Sequence, residues 1–195
     1  MTAQYSEMQL DALRELANIG SGTAATALSQ MVGRPIDLSV PTVLVLPLAD
    51  AVDAAGDPEQ DVWCVVLPIV GDIDAVVLMI FSHEDAEAIC GLLGVELGSE
   101  VGPSALGEVG NILGSSYVGA LGQMTGLALE PRPPETTTDM LAAIVATVLA
   151  STAHSTEVAF LLDSNLVIEG EACSFQFMLV PSEAGVSELL SRLGL

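Results

Sequence analysis

The sequence predicts an α+β fold in which two similar halves share one antiparallel sheet, with a long helix from each half packed on it. Each half reads in the order helix, strands, helix. A polar pattern in the first long helix returns in the second, where Glu108 matches Glu15 at an offset of 93 residues. The 195 residues are 51% hydrophobic, which is ample for a shared core. We therefore expect one pseudo-twofold domain made of two repeats, about residues 6–97 and 99–195.

The first half opens with a long helix, predicted from Ser6 to Gly33. Its apolar residues recur at helical spacing, and Pro35 follows the closing glycine. Three polar residues, separated by four and three positions, form a row along one side: Asp11, Glu15 and Asn18. Two glycines in the middle of the helix, Gly20 and Gly22, each cost about 1 kcal/mol relative to alanine. We expect a close neighbour to explain them, namely the second long helix.

Strands and a shorter helix complete the first half. Three strands are predicted, over residues 42–48, 62–70 and 73–81. The segment 49–61, rich in Asp, Ala, Gly and Pro, is predicted to be an exposed connection. Gly71-Asp72 makes a hairpin of the last two strands. Ser82 and Asp85 predict the N-terminal cap of a helix that ends at Gly94.

The second half follows the same order. A glycine-rich helix is predicted over residues 103–124, after which three prolines break the chain. Residues 139–151 permit helix or strand, and we favour helix. Three further strands are predicted, over residues 158–162, 166–171 and 174–180, with a turn at 163–165. A helix over residues 182–193 closes this half.

The charge balance restricts the possible partners. The chain has 26 acidic and 4 basic residues, all of the latter arginine, for a net charge of −22. Nucleic acids and anionic membranes both require a cationic face, so neither is expected to bind. An acidic, lysine-free surface over an Ala/Val-rich core predicts a salt-adapted source, because at high salt the Debye length falls to roughly 3 Å and self-repulsion is screened. The alternative is an ordinary acidic protein.

Membrane, secreted and metal-binding classes are also disfavoured. No uninterrupted apolar run reaches the roughly 18 residues that a membrane span needs, and the first ten residues show no export signal. The 3 cysteines are widely spaced, which favours reduced thiols in a cytoplasm over a disulfide framework. His83 and His154 stand apart from them, so no metal cluster is expected.

The polar row returns in the second long helix together with a distant proline. Every interval is kept between two sets of four residues: Asp11, Glu15, Asn18 and Pro41, and Ser104, Glu108, Asn111 and Pro134. A single row of this kind is most simply the solvated face of an amphipathic helix. Two copies at identical spacing favour a functional interpretation.

The residue types favour the positioning of water over acid–base catalysis. Asparagine does not titrate, so Glu and Asn three residues apart make no general acid–base pair. A carboxamide donates and accepts at once, and it can therefore hold a water molecule and the reaction site together. Phosphoryl hydrolysis depends largely on placing such a water in line. A carboxylate one turn away can anchor a cation on a partner.

The repeated pattern Asp/Ser-x3-Glu-x2-Asn-x22-Pro resembles that of the CheC family of chemotaxis phosphatases, and the duplicated element order is similar too. The resemblance implies a cytoplasmic hydrolase that acts on the phosphoaspartate of the CheY response regulator. It implies that Asn18 and Asn111 orient the attacking water, while Glu15 and Glu108 contact a conserved lysine of the receiver domain. Supporting contacts are expected from four residues, of which the prolines fix how the chain leaves each helix: Asp11, Ser104, Pro41 and Pro134.

The resemblance also sets expectations for cofactors and partners. Mg²⁺ would belong to the receiver domain, with no cofactor on this chain. Both copies keep their Glu and Asn, so two competent sites are expected on opposite ends of a pseudo-twofold molecule. Family members also bind the receptor deamidase CheD. The alternative functions are a non-catalytic adaptor for CheD or phospho-CheY, and a component of the flagellar switch.

Salt adaptation predicts that stability depends strongly on ionic strength. The midpoint of unfolding should rise steeply from low salt to molar KCl, because screening removes repulsion among the 26 acidic side chains. Circular dichroism of thermal unfolding across a KCl series measures this midpoint. A midpoint that stays constant across the series would contradict salt adaptation.

Overall fold

A single antiparallel sheet with helices on both faces forms the body of the protein, in a computed structural model that describes residues 7–39, 42–152, 158–168 and 171–194. The helices in these ranges are α1 (Glu7–Val32), α2 (Leu48–Ala55), α3 (His83–Leu92), α4 (Gly102–Thr125), α5 (Leu141–Thr152) and α6 (Glu183–Leu193). The strands are β1 (Asp37–Leu38), β2 (Thr42–Pro47), β3 (Asp61–Gly71), β4 (Ala75–Phe81), β5 (Leu129–Pro131), β6 (Glu135–Met140), β7 (Val158–Ile168) and β8 (Glu171–Pro181). The α+β class, with two long helices packed on an antiparallel sheet, is confirmed.

The sheet is built by an exchange of strands between the two halves. Its described strand order is β1-β7-β8-β4-β3-β5, with β2 also paired to β7 and β6 to β3. The central pair β4–β8 joins the halves. The first two strands of each half lie along the outer edge of the other half's hairpin. Neither half therefore completes its own part of the sheet.

Both faces of the sheet are covered, so its central strands are apolar on both sides. One face packs against α1, α3, α4 and α6, and the other against α2 and α5. In β4, Val77 and Met79 point into the first layer while Val76 and Leu78 point into the second, and all positions of the strand are buried. None of the helices in the described ranges combines the length and apolar character needed to cross a bilayer.

Elements with strong local signals lie where the sequence predicts them. The hairpin of β3 and β4 is confirmed, with Val66 opposite Leu78. The Ser82 hydroxyl accepts a hydrogen bond from the backbone N–H of Asp85 at 3.1 Å and so caps α3. Ser182 caps α6 in the same way. Helix α5 confirms the helix preferred for residues 139–151, except that Asp139 and Met140 belong to β6.

The exposed connection predicted for residues 49–61 is wrong over its first part, which forms helix α2. Leu48, Ala51, Val52 and Ala55 stand at positions i, i+3, i+4 and i+7, which is the apolar stripe of a short amphipathic helix. Ala51 and Val52 are buried in the second layer. The aspartates and alanines between them are typical of loops as well, so composition alone did not separate the two.

The turn predicted at residues 163–165 is also wrong, because β7 runs through it without a break. Asp163 pairs with Gln176 of β8 on one side and with Thr42 of β2 on the other. These two neighbours hold a polar segment in strand conformation against its local turn preference. The connection to β8 therefore falls at residues 169–170, outside the described residues. Strand β6 was missed for the same reason, since its threonines become a strand only beside β3.

Burial of the cysteines predicts inert thiols in the native protein. Cys64, Cys90 and Cys173 are all buried and free, and burial raises the pKa of Cys64 and of Cys173 to about 12. Because the thiolate is the reactive form, a thiol reagent at pH 8 should label the unfolded chain and spare the folded protein. Rapid labelling without denaturant would contradict this burial.

The same pKa shifts predict loss of stability in alkali. The folded-state pKa of Cys64 lies above its ordinary value of 9.0, so the unfolded chain releases this proton first. The free energy of unfolding should therefore be unaffected by these thiols below about pH 9 and fall as the pH rises toward 12. Urea unfolding of the wild type and of Cys64→Ala across this range measures the contribution of Cys64, and the variant should show a smaller alkaline loss because only Cys173 remains.

Candidate functional site

The two motif-bearing helices lie directly against each other. A Cβ placed on Gly20 of α1 would overlap the ring of Tyr117 on α4. The Ser21 hydroxyl lies 3.1 Å from the Tyr117 hydroxyl and donates its own proton to the carbonyl of Ala17. Tyr117 is therefore the donor of the bond between the helices. The neighbour expected at Gly20 is confirmed, whereas no atom lies within 4 Å of a Cβ placed on Gly22, so that part of the expectation is wrong.

The helices run antiparallel, which sets the spacing of the two motifs. Gly20 contacts Tyr117, and Leu16, one turn earlier, lines an apolar cavity together with Leu121, one turn later. From this register, Asn18 and Asn111 are offset by about 12 Å along the helix axes at a rise of about 1.5 Å per residue. The two motifs thus lie on neighbouring helices, and the order from Glu to Asn runs in opposite directions along them.

The row on α1 is open to solvent along its length. Asp11, Glu15 and Asn18 are all exposed. Asp11 accepts a 2.8 Å hydrogen bond from Arg14, an exposed ion pair of the kind that contributes about 0–1 kcal/mol. Asn18 lies at one end of a shallow surface depression that continues past Gly22 to Gln30.

Glycines hold α4 close to the sheet. A Cβ on Gly110 would lie 2.7 Å from Val65 of β3, and one on Gly107 would lie 2.9 Å from the Thr136 hydroxyl of β6. Gly114 faces Leu67 in the same way. The backbone of α4 therefore rests on the side chains of Val65, Leu67 and Thr136, because the helix has no side chain of its own at these three positions.

The outward row of α4 follows from this packing. Each sheet-facing glycine is followed by a polar residue, which stands about 100° around the helix from the sheet: Glu108, Asn111 and Ser115. Ser104 and Glu108 are exposed and Asn111 is half-buried. The amide oxygen of Asn111 accepts a hydrogen bond from the Ser115 hydroxyl at 3.4 Å. Each helix thus presents a carboxylate and, one turn on, a carboxamide to a visiting molecule.

Of the two prolines of the pattern, the structure describes Pro134, which lies apart from these rows. Pro41 is outside the described residues. Pro134 is half-buried between β5 and β6, and it does not shape the exit from α4 as expected. Gly126 does so, with a φ of 72° and an N–H that donates to the carbonyl of Gly122. Gly33, with a φ of 73°, follows α1 in the corresponding place.

The chemistry available at these rows is that of positioning. Neither row contains a Ser, His or Cys nucleophile with a base, and the described residues include no group of three or more His, Cys, Asp or Glu side chains that could hold a metal ion. Ser115 was missed by the sequence reasoning because its counterpart in the first copy is Gly22. A hydroxyl one turn beyond Asn111 was the available signal.

Comparison with known proteins decides the family. The model of the CheC-like family matches residues 8–45 and 102–137, the segments that carry the two rows. Over 199 residues the chain is 34% identical to the CheY-P phosphatase CheC of Bacillus subtilis, spanning 96% of this chain and 95% of that protein. The chain belongs to the CheC-like family. The resemblance drawn from the repeated motif is confirmed.

Other similar proteins extend the comparison. The flagellar motor switch phosphatase FliY of Bacillus subtilis is 31% identical over 123 residues, which span 63% of this chain and 31% of that protein. The putative CheY-P phosphatase CheC1 of Halobacterium salinarum is 26% identical over 69% of this chain and 71% of its own. Thermotoga maritima FliY superimposes with a TM-score of 0.73 at 20% identity over 98% of both chains. The middle domain of Helicobacter pylori FliM, with a TM-score of 0.70 at 13% identity over 96% of this chain and 99% of its own, shares the fold as well.

The contact between α4 and β3 predicts a strong difference between two glycines of the same helix. Gly110→Ala should lower the free energy of unfolding by about 1–3 kcal/mol, because the new methyl group must push against Val65. Gly119→Ala adds the same methyl in open space and should raise it by about 0.5–1 kcal/mol. Urea unfolding at one fixed salt concentration measures both. Equal free energies of unfolding for the two variants would show that α4 does not pack closely against Val65 of β3.

Proposed function

We propose that this protein hydrolyses the phosphoaspartate of a CheY-type response regulator, with one site on α1 and one on α4. The observation that carries the proposal is the outward-facing Glu and Asn at the same spacing on both helices of a CheC-like chain. Relatives named as phosphatases of CheY-P support the substrate class. Asn18 is exposed and Asn111 is half-buried, so a docked domain can reach both amides.

The reaction proposed is an in-line displacement by water. The receiver domain docks over one row, and the amide of Asn18 or Asn111 holds a water opposite the aspartyl oxygen. The water oxygen attacks phosphorus, the bond from phosphorus to the aspartyl oxygen breaks, and the carboxylate leaves with the electron pair. The water protons pass to the inorganic phosphate and to solvent. This route needs placement more than a base, because the transition state of phosphoryl transfer is loose.

The carboxylates of the rows serve recognition in this proposal. Glu15 or Glu108, one turn before the asparagine, pairs with a lysine near the phosphorylated residue of the receiver. Such a bond fixes the height of the amide over the phosphoryl group. Mg²⁺ is expected on the receiver, where it neutralises phosphate charge.

A double asparagine variant tests the proposal. Asn18→Ala combined with Asn111→Ala should lower the acceleration of phosphate release by about a hundredfold or more, because no amide remains to place the water. Either single variant should retain one working site. The measurement is phosphate release from a purified phosphorylated receiver, with and without the protein.

Two other amides supply a matched control. Gln30 and Gln123 are exposed on the same helices and stand outside the rows at equivalent positions, so Gln30→Ala with Gln123→Ala should release phosphate as fast as the wild type. Unchanged release by the folded double asparagine variant contradicts the proposal. Tight binding of the phosphorylated receiver or of CheD by the wild type, with no acceleration at all, would point to an adaptor instead.

A further inference from the structure

The two rows differ one turn beyond the asparagine. On α4 this position is Ser115, a half-buried residue whose hydroxyl donates to the amide oxygen of Asn111 at 3.4 Å. On α1 the residue at the same distance from Asn18 is Gly22. A Cβ placed on Gly22 would have no atom within 4 Å. The amide of Asn18 therefore has no hydroxyl at the position from which Ser115 holds Asn111.

The bond made by Ser115 departs from the pattern of its neighbours. Ser29 of α1 bonds the backbone of Ile36. Five other hydroxyl side chains of α1 and α4 donate to the backbone carbonyl four residues earlier: Ser21, Thr23, Thr26, Ser116 and Thr125. This is the usual bond of a helical serine or threonine. The corresponding carbonyl for Ser115 is that of Asn111, yet its hydroxyl is turned to the side chain of that residue instead.

A donor at the amide oxygen restricts the orientation of the whole carboxamide. Rotation about the last bond of an asparagine side chain is broad and roughly twofold, so an unrestrained amide exchanges its oxygen and nitrogen ends. A hydroxyl that donates to the oxygen favours the orientation in which the oxygen faces it, although at 3.4 Å the bond from Ser115 is long for this type. The remaining lone pair of the oxygen stays available to a water molecule.

The surroundings of the two asparagines add to this difference. Asn111 is half-buried on a helix whose backbone is seated on the sheet at Gly110 and Gly114. Asn18 is exposed beside the open depression at Gly22. An orienting group held on a rigid element loses less entropy when the reaction geometry forms.

We infer that Ser115 is a positioning residue for Asn111, and that this makes the α4 site faster than the α1 site. The inference rests on the proposed phosphatase function. It assigns the two copies unequal turnover, although their glutamates and asparagines are identical.

Single-site proteins make the comparison direct. Asn18→Ala leaves the α4 site alone, and Asn111→Ala leaves the α1 site alone. The α4-only protein should show the higher kcat for phosphate release. In that background Ser115→Ala should lower kcat about three- to tenfold with little change in KM, as expected for the loss of one orienting hydrogen bond, and Ser115→Thr should restore most of it.

Two controls separate positioning from general structural effects. Ser116→Ala in the same background removes a hydroxyl that binds backbone, and it should leave kcat unchanged. In the α1-only protein, Gly22→Ser should raise kcat by a similar factor, while Gly22→Ala supplies the methylene without the hydroxyl and should not. Equal kcat for the two single-site proteins, or equal effects of Ser115→Ala and Ser116→Ala, would overturn the inference.

A spectroscopic test does not depend on activity. NMR relaxation of side-chain amides should show a slower, more restricted Asn111 N–H₂ group than that of Asn18, and Ser115→Ala should remove the difference. Failure of the wild type to release phosphate would overturn the proposed function and the claim about rates. An Asn111 amide as mobile as that of Asn18 would separately overturn the positioning role of Ser115.

Discussion

The pairing of each half's first strands with the other half's hairpin is the constraint on which the rest of the structure depends. Strands β1 and β2 satisfy the edge of β7, while β5 and β6 satisfy the edge of β3. An unpaired edge would leave a row of backbone groups without partners. Each long helix precedes strands that cross to the other half, so α1 and α4 are drawn together over the β4–β8 seam. The close contact of Gly20 with Tyr117 follows from the packing of α1 against α4.

Close packing on one side of each helix determines what the other side presents. Helix α4 turns glycines toward β3 and β6, and α1 turns Ala17 and Ser21 inward beside α4. Small inward residues bring the backbone of both helices close to a buried, apolar layer. The polar rows are then fixed relative to the sheet by the helix geometry itself. A carboxamide on such an element keeps its position without a supporting loop.

Local signals predicted part of this structure, and the rest depends on contacts between distant segments. Helical spacing predicted the first long helix, the repeat predicted the row that contains Glu108 and Asn111, and the Ser82 cap predicted α3. Strand β7 was divided at Asp163 because the strands that hold it straight lie far away in the sequence. Helix α2 was missed because four apolar positions in an alanine-rich segment are weak evidence without the layer that buries them. Ser115 has glycine as its counterpart in the first copy, and only the direction of its hydroxyl distinguishes it from Ser116.

An acidic surface of this kind requires recognition at short range. The arginines make local contacts within the described chain: Arg14 with Asp11, Arg34 with the carbonyl of Leu92, Arg132 with Glu130 and Arg192 with Glu188. Exposed pairs of this type are weak, and the net charge is still −22 after the four arginines are counted. Negative charge spread over the whole surface attracts a cationic partner to no particular place, and concentrated salt shortens its reach further. The choice of one partner over another must then come from the geometry of direct contacts. In the proposed function each row supplies that geometry as a carboxylate and a carboxamide one helical turn apart. Gly22 on α1 and Gly119 on α4 leave the helix surface open to close approach.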